Sequence, residues 1–373
     1  MAKERVLVTG GAGFIGRHVC RALLERGHSV IVLDDFIEQV HGESDGTGLS
    51  RDIELIRGDI RHCELVRRAL RGVDAVIHLA AEVGVGQSMY AVERYVSVND
   101  CGTAVLLEEL ARSPVRRIVV ASSMSIYGEG LYRRTDGQIC ERVDRQAEAQ
   151  HVNGQSWDPV DLDGSPLEPL PTPETKPPTL ASVYALTKFT QERLTLLLAR
   201  AYGMEACALR LFNVFGPGQA LSNPYTGVLA IFASRLLNGE RPIVFEDGRQ
   251  RRDFVHVEDV ADAFAASLER PEANGSILNI GSGRNYAIGD VARQLAVSMR
   301  RTDLAPEILN KGRFGDIRHC FADISRARRV IDYQPKRFLE DALAELAAWV
   351  RSQRARDRVN EARSELEARG LVA

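Results

Sequence analysis

A glycine-rich turn lies where the first β-branched run gives way to the first helical pattern, and it restricts the possible folds more than any other feature. The segment Thr9-Gly10-Gly11-Ala12-Gly13-Phe14-Ile15-Gly16 follows a predicted strand at Arg5–Thr9 and opens a predicted helix at Gly13–Arg26. Gly10, Gly13 and Gly16 keep G-x-x-G-x-x-G spacing. In a dinucleotide-binding loop such glycines allow a tight turn, close approach of backbone to pyrophosphate, and helix N–H groups aimed at the negative charge. Glycines alone are weak evidence, because turns use them for many reasons. Their place at a strand-to-helix junction gives them weight. The second predicted strand, Ser29–Leu33, runs into Asp34, 24 residues after Gly10. A carboxylate there accepts hydrogen bonds from an adenosine ribose and repels a 2′-phosphate, which favours NAD over NADP. Asp35 is a second candidate for that role, and a loop-capping Asp is the plainer reading of Asp34.

Further predicted strands fall at Glu54–Arg57, Ala75–His78, Arg117–Ala121 and Ala206–Leu211, with helices at Cys63–Arg71, Asp100–Ala111 and Tyr184–Tyr202. Strands alternating with helices imply right-handed crossovers and a parallel sheet. The expected fold class is therefore α/β, a Rossmann-type doubly wound parallel sheet. Residues 129–180 break this rhythm with a polar stretch rich in Asp, Arg and Pro. Inserts of this length are usually functional or poorly ordered. The charge-rich stretch Arg351–Arg369 is expected to be an exposed helix.

Bulk properties exclude several classes of function. Net charge is −3 over 373 residues, which provides no electrostatic footprint for nucleic acid or a membrane surface. There is no signal-peptide pattern and no run of eighteen apolar residues. The six cysteines stand singly, without metal-ligand spacing, which points to reduced thiols and a cytoplasmic protein.

Tyr184-Ala185-Leu186-Thr187-Lys188 places a phenol and an ammonium four residues apart, on one helix face. A cation near a tyrosine lowers its pKa and suits it to proton exchange at neutral pH. Ser122 and Ser123, at the end of the predicted Arg117–Ala121 strand, offer a hydroxyl partner.

With these residues in view, the chain resembles the extended short-chain dehydrogenase/reductases of the nucleotide-sugar epimerase/dehydratase family. The likeness covers nearly the whole length, interrupted by the insert. It includes Gly58-Asp59-Ile60, His78-Leu79-Ala80-Ala81, Asn99, Ser122 through Gly128, Leu209 through Pro217, Arg252 through Val257, and Asn279 through Gly283. The resemblance implies an NAD-binding domain from 1–211, completed by about 254–281. It also implies a smaller nucleotide-sugar-binding α/β domain from 212–253 and 282–350, with a charged extension at 351–373. Cofactor contacts are implied for Gly10, Gly13, Phe14, Ile15, Gly16, Asp34, Asp59, Ile60, Leu79, Ala80, Ala81, Asn99, Ser122, Tyr184 and Lys188. Tyr184 would be the base, Lys188 would hold the nicotinamide ribose, and Ser123 would bond the reacting oxygen. Asn213, Arg252 and Arg313 would contact the substrate diphosphate, an arginine fork matching phosphate geometry. The plainer reading of each arginine is a surface ion pair.

Family members share the oxidation of a sugar carbon and diverge in the next step. The dehydratases carry an Asp–Glu pair where this chain has Met124 and Ser125, and the decarboxylases carry a Glu at the second position. The epimerase/reductases that use a Cys–His pair have the Cys near Met124. The remaining machinery suits 4-epimerisation with a resident NAD; a net reductase or epimerisation at another carbon is the alternative. A sensing scaffold without turnover would lack the Tyr/Lys pair. The insert resembles that of dTDP-L-rhamnose 4-epimerase-like proteins, in which cysteine pairs suit a metal. Here only Cys140 stands near those positions, with Arg134 and Asp161, so no metal is expected. The insert is either a lid or an inert loop. Cys320 matches a position that gates the sugar pocket in galactose epimerases, unless it merely packs in a strand. His256 and His78 are expected to be structural. Pairing through the helices at Asp100–Ala111 and Tyr184–Tyr202 is implied, making a homodimer.

Overall fold

Val6, Leu7 and Val8 have no exposed surface, and they alternate between two hydrophobic cores, Val6 and Val8 on one side and Leu7 on the other. A strand this uniformly apolar belongs inside a parallel sheet covered on both faces. The computed structural model describes residues 3–42, 48–143, 157–225 and 227–372. Its central sheet has seven parallel strands: β1 (Arg5–Thr9), β2 (Ser29–Asp34), β3 (Glu54–Arg57), β4 (Ala75–His78), β5 (Arg117–Ser123), β6 (Glu205–Leu211) and β7 (Ser276–Ile280). They lie in the order β3-β2-β1-β4-β5-β6-β7. The order reverses between β1 and β4, so the connections leaving their carboxyl ends diverge and open a crevice there.

Helices α1 (Phe14–Glu25), α2 (Cys63–Ala69), α3 (Gly102–Arg112) and α4 (Val183–Ala201) form where the apolar periodicity predicts them. A π-helical turn at Val96–Cys101 leads into α3. Strand β5 runs two residues beyond its predicted end, because Ser122 and Ser123 pair with Arg210 and Leu211 of β6. Beyond the sheet, α5 (Val228–Leu237), α7 (Ile288–Ser298) and α8 (Leu339–Arg351) enclose a separate core. Helix α6 (Val257–Glu269) packs on α1 against the main sheet. Among the described residues no helix is long and apolar enough to cross a membrane.

Two expectations need correction. The described part of the insert is not an irregular loop. Leu131–Arg133 pairs antiparallel with Ile139–Cys140 on one side and Glu168–Leu170 on the other. Tyr132, Val143 and Leu167 give this small sheet its own apolar centre. Residues 144–156 lie outside the described part. The C-terminal helix, α9 (Val359–Ala368), is not fully solvated, since Ala362 and Leu366 are buried. These two residues stand four apart, and so share one face, on a helix half of whose other positions are charged.

Candidate active site

The glycine turn closes the switch-point crevice from below. Gly10 has φ +70°, and a Cβ there would come within 2.8 Å of the Ala80 nitrogen. A Cβ on Gly16 would lie 2.4 Å from the Gly10 carbonyl, so only glycine lets α1 pack this closely. Gly13 differs: a Cβ would meet only the Gly10 oxygen, at 3.3 Å, and would otherwise intrude on open cleft. The first turn of α1 carries no acidic residue and no side-chain cap. Free N–H groups beside a bare backbone fit a dinucleotide pyrophosphate. At the end of β2, Asp34 accepts the Ala12 N–H at 2.9 Å and the Phe36 N–H at 3.0 Å, and its Oδ1 lies 3.2 Å from His41 Nε2. Burial alone would raise its pKa; these hydrogen bonds, led by that from His41, bring it below the usual carboxylate value. Asp35 also lines the crevice but is exposed, and partial burial and the Asp59 charge push its pKa up.

A single cleft of about 590 Å³ runs from this turn to the second core. Phe14, Ile15, Asp59, Ile60, Leu79, Ala80, Ala81 and Ser122 all line it. Asn99 does not. It sits fully buried behind the cleft wall, donating to the Glu82 carbonyl and Thr187 Oγ1 and accepting the Glu82 N–H at 2.7 Å. It thus fixes the 79–82 loop against α4. The Ser122 hydroxyl donates to Glu192 at 2.7 Å.

Tyr184, Lys188 and Ser123 meet in the middle of the cleft, all three buried. Ser182 caps α4 by accepting the Ala185 N–H, and Ser88 Oγ accepts the Tyr184 N–H at 3.0 Å, which fixes where the helix begins. Ser123 caps the short helix Met124–Tyr127, so its hydroxyl is held at the end of β5. Burial raises the Tyr184 pKa, and the nearby Ser123 hydroxyl acts in the opposite direction. Burial draws the Lys188 pKa down to about 7, and its ammonium donates to Gln191 Oε1 at 2.7 Å. Gln191 donates onward to Thr103 Oγ1 at 2.8 Å and lies 3.2 Å from His78 Nε2. His78 is pushed down to about 3 by burial and the Lys188 charge, and is therefore a neutral structural link. The sequence motif does not include Gln191, and its position one turn after Lys188 is the only signal that could have found it.

At the far end Asn213 lines the cleft, and its buried Oδ1 has no hydrogen-bond partner among the described residues. Buried polar atoms are normally paired, so this one fits a ligand contact. Arg252 and Arg313 line the same end. Arg252 donates to the backbone carbonyls of Arg251, Ile317 and Arg318, while Arg313 is paired with Asp316 at 2.9 Å. Cys320 is not brought to the cleft. It is buried in the strand His319–Cys320, with Sγ 3.9 Å from Thr172 Oγ1, because the Arg251–Arg252 pairing turns it into the core. His256 caps α6 through its Nδ1 and is likewise buried. No described residue of the insert lines the cleft. Where the resemblance led to metal positions, Arg134 and Asp161 form an ion pair at 3.3 Å.

Comparison with known proteins agrees with this geometry. The family model for the NAD dependent epimerase/dehydratase family matches residues 6–146 and 163–281. The dTDP-L-rhamnose 4-epimerase of Burkholderia thailandensis is 36% identical over 354 residues, covering 93% of this chain and 95% of that protein. A putative UDP-glucose 4-epimerase of Methanocaldococcus jannaschii is 30% identical, covering 93% and 98%. The crystal structure of Thermus thermophilus UDP-glucose 4-epimerase in complex with NAD superposes with a TM-score of 0.75 at 28% identity, covering 94% of this chain and all of that one. The glycine turn, the Tyr184–Lys188 helix and the matched length lead to one conclusion: this chain is an enzyme of the NAD-dependent epimerase/dehydratase family.

Proposed function

We propose that the protein is a nucleotide-sugar 4-epimerase that keeps NAD bound through the whole reaction. Residues 1–211 and 254–281 would hold the cofactor, and 212–253 with 282–350 the nucleotide sugar. When bound, NAD supplies the hydride chemistry, accepting hydride from a sugar carbon and giving it back. Tyr184 Oη takes the hydroxyl proton from the same carbon and later returns it. Ser123 holds the reacting oxygen. Lys188 sits one turn from Tyr184 on the same helix face, and Gln191 keeps its ammonium in place. Asn213, Arg252 and Arg313 bind the diphosphate end. One observation carries the reading: Tyr184 and Ser123 share the cleft with Met124 and Ser125, neither of which exchanges protons near neutral pH. Water elimination and decarboxylation need an acid or base at those positions. Epimerisation needs only that the oxidised sugar turn its other face.

We also propose that the protein works as a homodimer. Val92 and Val96 ahead of α3, and Leu186 and Leu197 on α4, are large exposed apolar side chains on neighbouring elements. The purified protein, given a panel of nucleotide sugars and no added cofactor, is expected to produce the 4-epimer of one of them by NMR. A requirement for added NADH, with net reduction of the sugar, would overturn the reading.

A further inference from the structure

The C-terminal segment makes contacts that its charged sequence does not announce. Val359, Ala362, Arg363, Leu366 and Leu371 all face the cleft. Leu366 sits against Gly86, its methyl 3.4 Å from where a Cβ would stand. Gly86 belongs to the turn Val85–Ser88, whose Ser88 accepts the Tyr184 N–H. Helix α9 therefore rests on the turn that anchors the catalytic helix. The tail then runs back along the Arg313 turn. Phe314 N–H donates to the Leu371 carbonyl at 3.0 Å, and Arg313 and Val372 form an antiparallel bridge. Buried Arg235 holds the start of the segment through Asp357 at 3.0 Å.

Arg363 is the polar residue this packing delivers to the cleft. Its Nε donates to Glu367 at 2.9 Å, and its two terminal nitrogens have no partner among the described residues. Arg252, which lines the same cleft, has no carboxylate partner among the described residues, only backbone carbonyls. Guanidinium donors left open around a cleft fit a diphosphate, whose oxygens accept paired N–H bonds. We propose that residues 359–372 are a wall of the nucleotide-sugar site. They clasp the Arg313 turn against the cleft and present Arg363 to the diphosphate. The proposal rests on the nucleotide-sugar reading above.

The test measures binding of UDP and of dTDP to the NAD-loaded protein by calorimetry, together with KM and kcat for the sugar nucleotide that the wild type turns over. A chain ending at Ser352 is compared with the Arg363→Ala/Leu366→Ser double variant. Both are expected to retain NAD, to weaken nucleotide binding about tenfold or more, and to raise KM more than they lower kcat. If the shortened chain does not fold, the double variant decides. Unchanged affinity and KM overturn the proposal. Wild-type binding of UDP or dTDP without turnover overturns the epimerase reading and leaves the affinity comparison to judge this one. A wild type that binds neither overturns both.

Discussion

Lys188 and Arg318 are both buried cations, one in the cleft and one where the insert meets the second core, and their surroundings are opposite. Lys188 donates to a neutral amide, and Glu192, the carboxylate whose charge acts on it, is taken by Arg210 at 2.8 Å. Burial therefore dominates and draws the lysine's pKa down to about 7. Arg318 has no exposed side chain and contacts Asp158, Glu246 and Asp247 at 2.6–2.8 Å. Burial would lower its pKa, but those carboxylates outweigh it and hold the charge fixed. Glu129 of the insert adds hydrogen bonds from the Arg318 and His319 backbones. A charge that locks two pieces together is surrounded by counter-ions. The cleft lysine has an amide in their place.

The largest effect expected from this contrast is on turnover. Tyr184→Phe and Lys188→Met should each lower kcat by about 10²–10⁴-fold, the usual range for loss of acid–base machinery. Tyr184→Phe should still bind NAD. The cofactor-free Lys188→Met protein should melt at or above the wild-type temperature, because a desolvated ammonium is removed. A melting point several degrees lower would show that Lys188 is a structural cation like Arg318.

Arg318→Met should do the reverse. It takes the guanidinium away from Glu246, which is fully buried, and from Asp158 and Asp247. Removing one partner of a buried ion cluster costs about 3–5 kcal/mol, to be read from urea unfolding. The fraction that remains folded should keep its kcat, because Arg252 contacts the Arg318 backbone carbonyl and not its side chain.

The pH dependence of stability separates the two sites more gently. Hydrogen bonds from His319 and Arg318 hold Asp158 below the usual carboxylate pKa. Its folded pKa is depressed, so its contribution is present above the unfolded value and is lost as pH falls through the folded one. Lys188 is depressed in the other sense: its burial penalty is full below about pH 7 and fades as pH rises toward the unfolded value of about 10.4. Lys188→Met should therefore flatten the alkaline side of the stability profile and leave the acid side unchanged.

How legible each region is in the sequence depends on the range of its contacts. The glycine turn, Asp34 and the Tyr184–Lys188 helix are local patterns, and their spacing carries the site. Lys188 and Gln191 also lie within one turn, although only the structure reveals that this amide takes the ammonium. The junction is hidden because its partners are distant: Arg318 meets Glu246 and Asp158 across 72 and 160 residues. Strands of two or three residues containing Pro169 and charged side chains give no alternation to read. Helix α9 reads as fully solvated because only two of its side chains, Ala362 and Leu366, are buried, and Leu366 meets a glycine distant in the sequence.

The smallest expected effect concerns Cys320, the residue whose place in the sequence pointed to the sugar pocket. Its thiol is buried beside Thr172, and burial pushes its pKa up to about 12, which makes it an inert packing group. Thr172 also bonds the Phe321 carbonyl through its N–H, so the pair belongs to the seam between the insert and the main-sheet core. Cys320→Ala should cost about 1 kcal/mol of stability. The ratio of kcat/KM between two competing nucleotide sugars should stay as it is. A several-fold change in that ratio would mean that the seam reaches the sugar, and the separation between a holding region and a reacting one would no longer stand.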